Sequence, residues 1–465
     1  MKKIYLAFGL FAGMTLTSCN LDTLPSTSLG EEIAITSESD LQNAVNGIGY
    51  LLSEDRMTYG ADFGIYADLL TDEFKVVKSN GQSTPISTYT ITKHDELPGN
   101  AYYYYYKAIA NCNKALELSA KMEATDEVKN LQGQLYAWRG LLHFDLARIF
   151  AHIPTAAADV NAANSGIVLS TEVYAPDYKG SRATLKETYD LIISDLTKAM
   201  DLMGEGSDNG TGYHNYFSAL ALRARANLYA GNYAAALADA KKVIEDGGYE
   251  LYNQSNYDKV WVQEGTSESI FELLITTNYN PQRNSLGYYC DANGYPECAL
   301  ADKGETLTYL LDHPEDVRSK VIKEQEVSGV AGTHFFPAKY PGRDGIYVNN
   351  PKIIRLSELY LIAAEAELKA NNNGAAAAAP FINEIEKNRI DGYTDVASVT
   401  IDDIIFEYTK ELFAENQIAF AYWRNNKSVT NQVNQEIGGK DDKAIWPIPQ
   451  REIDYDPTLV QNPGY

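Results

Sequence analysis

Beyond its first twenty residues, this 465-residue chain has no apolar run approaching the ~18 residues that a membrane-spanning helix needs. Histidine, cysteine and tryptophan are scarce, at 6, 4 and 4 residues. The histidines are scattered, and no His-Glu-x-x-His, Gly-x-Ser-x-Gly, phosphate-loop or paired CxxC pattern occurs. The common signatures of metallohydrolases, serine hydrolases and nucleotide enzymes are therefore missing, and no cofactor is called for. Positive charge is also short: 39 basic residues against 63 acidic ones give a net charge of −24. A surface of that sign repels nucleic acid and anionic lipid, which excludes both as electrostatic partners. A pair of carboxylates for glycoside hydrolysis is the one enzyme chemistry that so many acidic residues leave open.

What is present begins at the amino end. Lys2 and Lys3 precede a short apolar run, Ile4 to Leu16, which ends in Leu16-Thr17-Ser18-Cys19. A charged start, a run too short for a bilayer and small residues before a cysteine resemble a bacterial lipoprotein signal, residues 1–18. Cys19 is then the lipidation site, and two or more acyl chains would hold the protein at a membrane surface. Cys290 and Cys298 share one loop, which leaves both a small disulfide and a pair of free thiols open, whereas Cys112 reads as a buried thiol within a helix.

Helical periodicity dominates the remainder, 19–465, read as a single domain. In Ser218 to Gly247, Leu220, Ala224 and Leu228 share one face, Gly231-Asn232 turns the chain, and Ala236, Ala240 and Ile244 share the next. This is the pattern of a tetratricopeptide-like helix pair. Further helices are expected at Tyr102–Leu118, Asn130–Phe150, Leu185–Met203, Ile353–Ala370, Ala375–Lys387 and Ile404–Tyr422, with a strand at Ser269–Thr276. The fold class is mostly α, a scaffold of helix pairs with a few short strands and loop-rich insertions at about 253–348 and 425–465.

Six segments in order resemble the SusD/RagB family of outer-membrane lipoproteins. They are Asp68 to Glu73; Tyr106 to Asn113; Gly133 to Pro154; Ile353 to Glu367; Lys410-Glu411-Leu412 with Glu415 and Trp423-Arg424; and Trp446 to Tyr465. Gly140 after Arg139, Asn416 in place of a glycine, and Tyr422 near an expected aspartate depart from the family pattern. The resemblance implies a non-catalytic, surface-exposed protein lying over a SusC-like TonB-dependent transporter in the outer membrane. Such a protein captures an oligosaccharide for delivery, or a peptide in the RagB-like alternative. It also implies that the signature residues serve the fold rather than the ligand.

A sugar site needs aromatic faces for the C–H side of the ring and planar polar groups for its hydroxyls. With 34 tyrosines against 14 phenylalanines and 4 tryptophans, an aromatic platform here is expected to be tyrosine, which favours a glycan over a peptide. Residues 102–106 are five consecutive tyrosines. Helical steps of about 100° force some of them outward. The family resemblance, which implies a binding aromatic shortly before the Tyr-x-x-Ile segment, points to Tyr102 or Tyr103 as the ligand contact. Between Asn278 and Tyr295, the residues Tyr279, Arg283, Asn284, Tyr288, Tyr289, Asp291 and Asn293 combine stacking and hydrogen bonding in one segment. His334-Phe335-Phe336 with Tyr340 is a third, weaker candidate.

Overall fold

The computed structural model describes residues 35–465 apart from positions 55, 176, 346 and 372. Cys19 and the leader expected before it lie outside the described residues. The main helices are α1 (Glu38–Glu54), α2 (Glu96–Ser119), α3 (Asp126–Phe150), α4 (Leu185–Met203), α5 (Tyr216–Ala230), α6 (Tyr233–Asp246), α7 (Leu356–Ala370), α8 (Gly374–Arg389), α9 (Ile401–Leu412), α10 (Ile418–Arg424) and α11 (Gln450–Tyr455). From α2 to α8 each helix packs on the next, as stacked helix pairs do.

Local chemistry sets the ends of these helices. Thr184 and Glu187 form a reciprocal cap on α4: the Glu187 amide donates to the Thr184 hydroxyl at 3.1 Å, and the Thr184 amide donates to the Glu187 carboxylate at 2.9 Å. Asn215 and Ser218 cap α5 in the same way. Gly231 ends α5 with a left-handed φ of 78°, which only glycine adopts freely, and this sets the tight turn into α6.

Buried ion pairs stitch the layers together. The Arg139 guanidinium donates to both oxygens of Asp195, at 2.8 and 2.7 Å, and to Asn113 Oδ1 at 2.8 Å, joining α3 to α4 and α2. Arg225 meets Glu358 and Arg424 meets Glu365, each at 2.6 Å, tying α5 and α10 to α7. Asn113, Arg139, Glu358, Glu365 and Arg424 belong to the six signature segments, and their partners lie within the fold.

Three expectations change. The helix predicted at Ile353–Ala370 opens as a strand, Lys352–Arg355, which pairs antiparallel with Ser269–Glu272. The strand predicted to reach Thr276 ends at Glu272, where the Leu273 amide turns to the carbonyl of Pro351 at 3.1 Å. The helix predicted over Ile404–Tyr422 is two helices, α9 and α10, separated by left-handed Ala414 and Asn416 at φ 61° and 64°. Buried Asp68 explains the break. Its carboxylate accepts from the amides of Asn416, Gln417 and Ile418 at 2.8, 3.2 and 3.1 Å, capping α10 as a separate helix.

The 253–348 insertion carries most of a small sheet. Its strands are β1 (Phe74–Lys75), β2 (Ala299–Leu300), β3 (Ile322–Glu326) and β4 (Thr333–Pro337), in spatial order β1-β2-β4-β3. The C-terminal segment returns to the helices, with the Trp446 amide donating to Ile149 O at 2.8 Å and Asn462 donating to Phe150 O at 2.8 Å. The main apolar core runs from Leu41 to Leu459, with smaller clusters around Leu361–Ala421 and around Ala299, Val327 and Phe336.

Candidate functional site

The small sheet borders a cleft of about 710 Å³, lined by Lys78, Asn80, Asn293, Pro296, Glu326 and Ser328 among others. Three segments form its walls: the chain leaving β1, the loop before β2, and the β3–β4 turn. Each is tied to the next. The Val77 amide donates to Pro296 O at 3.0 Å. Lys78 Nζ donates across to Ser328 O at 3.1 Å, and the Ala292 amide donates to Gln325 Oε1 at 3.1 Å.

Glu297 anchors the first wall. Its side chain is fully buried, and its carboxylate accepts from the amides of Asn80 at 2.6 Å, Gln82 at 3.3 Å and Ser83. A carboxylate that gathers successive amides fixes a turn that has no regular secondary structure of its own. Asp291 does the same for the second wall. Lys323 donates to it at 2.7 Å and Gln325 at 3.2 Å. Burial raises the Asp291 carboxyl, but Lys323 and the Asn293 amide outweigh it and hold the group below its usual range.

Beside this wall on the same segment stands an arginine among tyrosines. The Tyr288 ring lies 4.8 Å from Tyr295, edge to face, and 5.7 Å from Tyr347. The exposed Arg283 guanidinium is held above its usual range by a hydrogen bond with Tyr347, by proximity to Tyr288 and by a hydrogen bond with Tyr295. Such a group presents ring faces and a planar fork of donors together.

The structure thus brings Arg283, Tyr288, Asp291 and Asn293 onto one continuous segment, with Asn284 half-buried in the turn before it. It does not bring the other expected residues there. Tyr289 is fully enclosed and has no face for a ligand; its side chain belongs to the core. Tyr279 stacks instead on Tyr50, centroids 4.2 Å apart, with both rings about two-fifths exposed. In the tyrosine run, Tyr105 is buried and Tyr103 is 49% exposed near Lys107 and Arg451. Tyr102 is half-buried against Tyr106 and Phe150. Cys290 and Cys298 are buried free thiols, not a disulfide. The third candidate belongs to β4 and the chain just beyond it: His334 and Phe336 are buried, and the Tyr340 hydroxyl donates to Ala414 O at 2.5 Å.

Reading the sequence alone missed Lys78, Asn80, Glu297, Glu326 and Tyr347. The 75–99 stretch is rich in Asn, Gly, Thr, Tyr and Pro, a composition that marks a loop but not which of its residues turn inward. Glu297 leaves no signal at all, because a lone glutamate in a loop reads as solvated until its three amide partners are seen.

Two families of known proteins together match nearly the whole chain. The family described as "Starch-binding associating with outer membrane" matches residues 20–228, and the SusD family matches 244–465. A SusD superfamily protein from Bacteroides thetaiotaomicron VPI-5482 is 30% identical, covers 92% of this chain and 100% of its own, and superposes with a TM-score of 0.83. The chain belongs to the SusD family. A SusD superfamily protein from Bacteroides vulgatus ATCC 8482 is 28% identical over 93% of this chain and 100% of that one, with a TM-score of 0.85. A laminarin binding SusD-like protein shares the fold at 20% identity, over 93% of this chain and all of its own, with a TM-score of 0.74. No curated protein matches the chain. Among the described residues no helix is long and apolar enough to cross a membrane.

Proposed function

We propose that this SusD-family chain is a glycan-binding protein, not an enzyme, and that it takes an oligosaccharide in the cleft between residues 78–80, 291–296 and 326–332. The observation that supports the reading is a shared wall: Gly294 and Pro296 line the cleft, and Tyr295 between them packs edge to face on Tyr288, beside Arg283 and Tyr347. Asn80 and Asn293 offer amides to hydroxyls, and the tyrosines offer faces to the sugar ring. The family description names starch binding and outer-membrane association, and a protein of the same fold is named for laminarin binding. In this reading Cys19 carries a lipid that keeps the protein at the outer membrane, and a SusC-like TonB-dependent transporter receives the ligand.

Affinity electrophoresis of the purified full chain through gels containing different polysaccharides tests the reading. At least one polysaccharide should retard the parent, and Tyr288→Ala should migrate faster in that gel. Retardation by none of them, together with binding to peptides, moves the reading to a peptide-binding member of the family. Shortening of the polysaccharide would overturn the non-enzymatic assignment. Loss of detergent-phase partitioning on Cys19→Ala tests the anchor.

A further inference from the structure

A second pocket, about 180 Å³, shares no lining residue with the cleft. It lies between the first turns of α2, the 168–180 connection and α11. Five of its eleven lining residues are tyrosines: Tyr102 and Tyr106 at the floor, with Tyr174, Tyr178 and Tyr455 around them. Tyr174 and Tyr178 are stacked, centroids 3.9 Å apart and planes within 14°. Tyr178 and Tyr455 are roughly half exposed, so each keeps ring surface free at the pocket although Tyr174 and Lys179 take part of it. Gly180 leaves room for this arrangement, since a Cβ there would lie 3.1 Å from Tyr178 Cε1 and 2.8 Å from Val168 Cγ1.

Two carboxylates, Glu452 and Asp456, share the lining. Asp456 is 5% exposed, and its Oδ1 accepts from the Thr458 hydroxyl at 2.6 Å and amide at 3.0 Å. Its Oδ2 has no hydrogen-bond partner among the described residues. A buried carboxylate oxygen left without a donor is costly, and a ligand hydroxyl would satisfy it. Local charge is balanced. Arg451 pairs with Glu452 at 2.9 Å, and Lys179 Nζ sits 3.4 Å from the Tyr455 ring centroid and donates to the Tyr455 carbonyl. Neither a strong cation nor a strong anion is called for; a neutral ring with several hydroxyl donors is.

We infer that this pocket is a second carbohydrate subsite, which takes one neutral pyranose residue between Tyr178 and Tyr455, with hydroxyls directed to Asp456 and Glu452. The inference shares the ligand class of the function proposed above but not its residues. A second grip on one chain would raise retention of a polysaccharide without any new contact in the cleft.

The test tracks the tyrosine ring resonances of the purified full chain as methyl β-D-glucopyranoside, methyl β-D-galactopyranoside and methyl α-D-mannopyranoside are added in turn. The Tyr178 and Tyr455 signals are identified by their loss in Tyr178→Ala and Tyr455→Ala. At least one glycoside should move both signals saturably. Asp456→Asn should weaken that response about tenfold, the scale of a charged hydrogen-bond acceptor. The response should persist in a Tyr288→Ala chain, so failure of the cleft reading leaves this result standing. No shift with any of the three glycosides, or a shift indifferent to Asp456→Asn, overturns the inference.

Discussion

Glu411 Oε1 lies 2.6 Å from Arg355 Nη1, with both side chains excluded from solvent. Arg355 also donates to Glu268 and Glu415, and Glu411 also receives Arg389 and Arg318. This network joins the strand before α7, the end of α9, α8 and, through Glu268 and Arg318, the 253–348 insertion. Removing one member strands a buried charge, which typically costs about 3–5 kcal/mol, whereas the intact pairs contribute little net stability. Glu411→Ala should therefore lower the urea midpoint sharply. A change smaller than about 1 kcal/mol would mean that the network is solvated.

The same groups set the response to acid. Burial raises Glu407, Glu411 and Glu415, but the cations facing them prevail. Arg318 and Lys410 bring Glu407 to about 2, Arg389 and Arg355 bring Glu411 well below its usual range, and Arg355 and Lys339 lower Glu415. Carboxyls lowered by folding contribute stability above their unfolded value of about 4.5, and that stability is lost as pH falls towards 2. Glu386 runs the other way. Burial and the neighbouring Glu407 raise it to about 8, so its contribution is lost as pH rises from about 4.5 through 8. Melting temperature should therefore climb between pH 2 and 5 and then decline gently. Glu386→Gln, which mimics the protonated acid, should flatten the decline; an unchanged upper limb would contradict the assignment.

Two tyrosines of the expected site should now separate. Tyr289→Ala empties a fully buried ring position and should cost about 3–5 kcal/mol, as large aromatic truncations do. Tyr103→Ala removes a ring already half exposed and should change stability by less than about 0.5 kcal/mol. Denaturant melts of the two variants decide this, and equal losses would show that the exposure difference does not matter.

Glu297→Ala should release the 78–83 wall by removing the acceptor for three amides. Each unmet buried donor costs about 1–3 kcal/mol, but local opening relieves it, so faster limited proteolysis near residue 80 is expected before global unfolding. A digestion pattern identical to that of the parent would remove Glu297 from its anchoring role.

Much of the scaffold is legible in the sequence because its helices obey a single period. Leu185–Met203 falls where the pattern places it, with its cap visible as Thr184 and Glu187. What the sequence hides is long-range. The division of α9 from α10 depends on Asp68, some 350 positions away, and no local propensity at Asn416 reveals that partner. Tyr289 and Tyr288 are neighbours of identical chemistry, yet one faces the core and the other the Arg283 cluster. That choice is made by the turn between Ser285 and Cys290, not by residue type. The Asn278–Tyr295 segment is readable as a place of interest, but its inward and outward faces are not.

The central claim, that an oligosaccharide occupies the cleft, is tested most directly by isothermal titration of the purified full chain. The ligands are α- and β-linked glucan, galactan and xylan oligosaccharides, each titrated into the parent, Asn293→Ala and Tyr288→Ala. The account predicts saturable heat with at least one of them, weakened about tenfold in each variant, on the scale of one lost hydrogen bond or ring contact. Equal affinity in all three proteins, or heat from peptides alone, would contradict it.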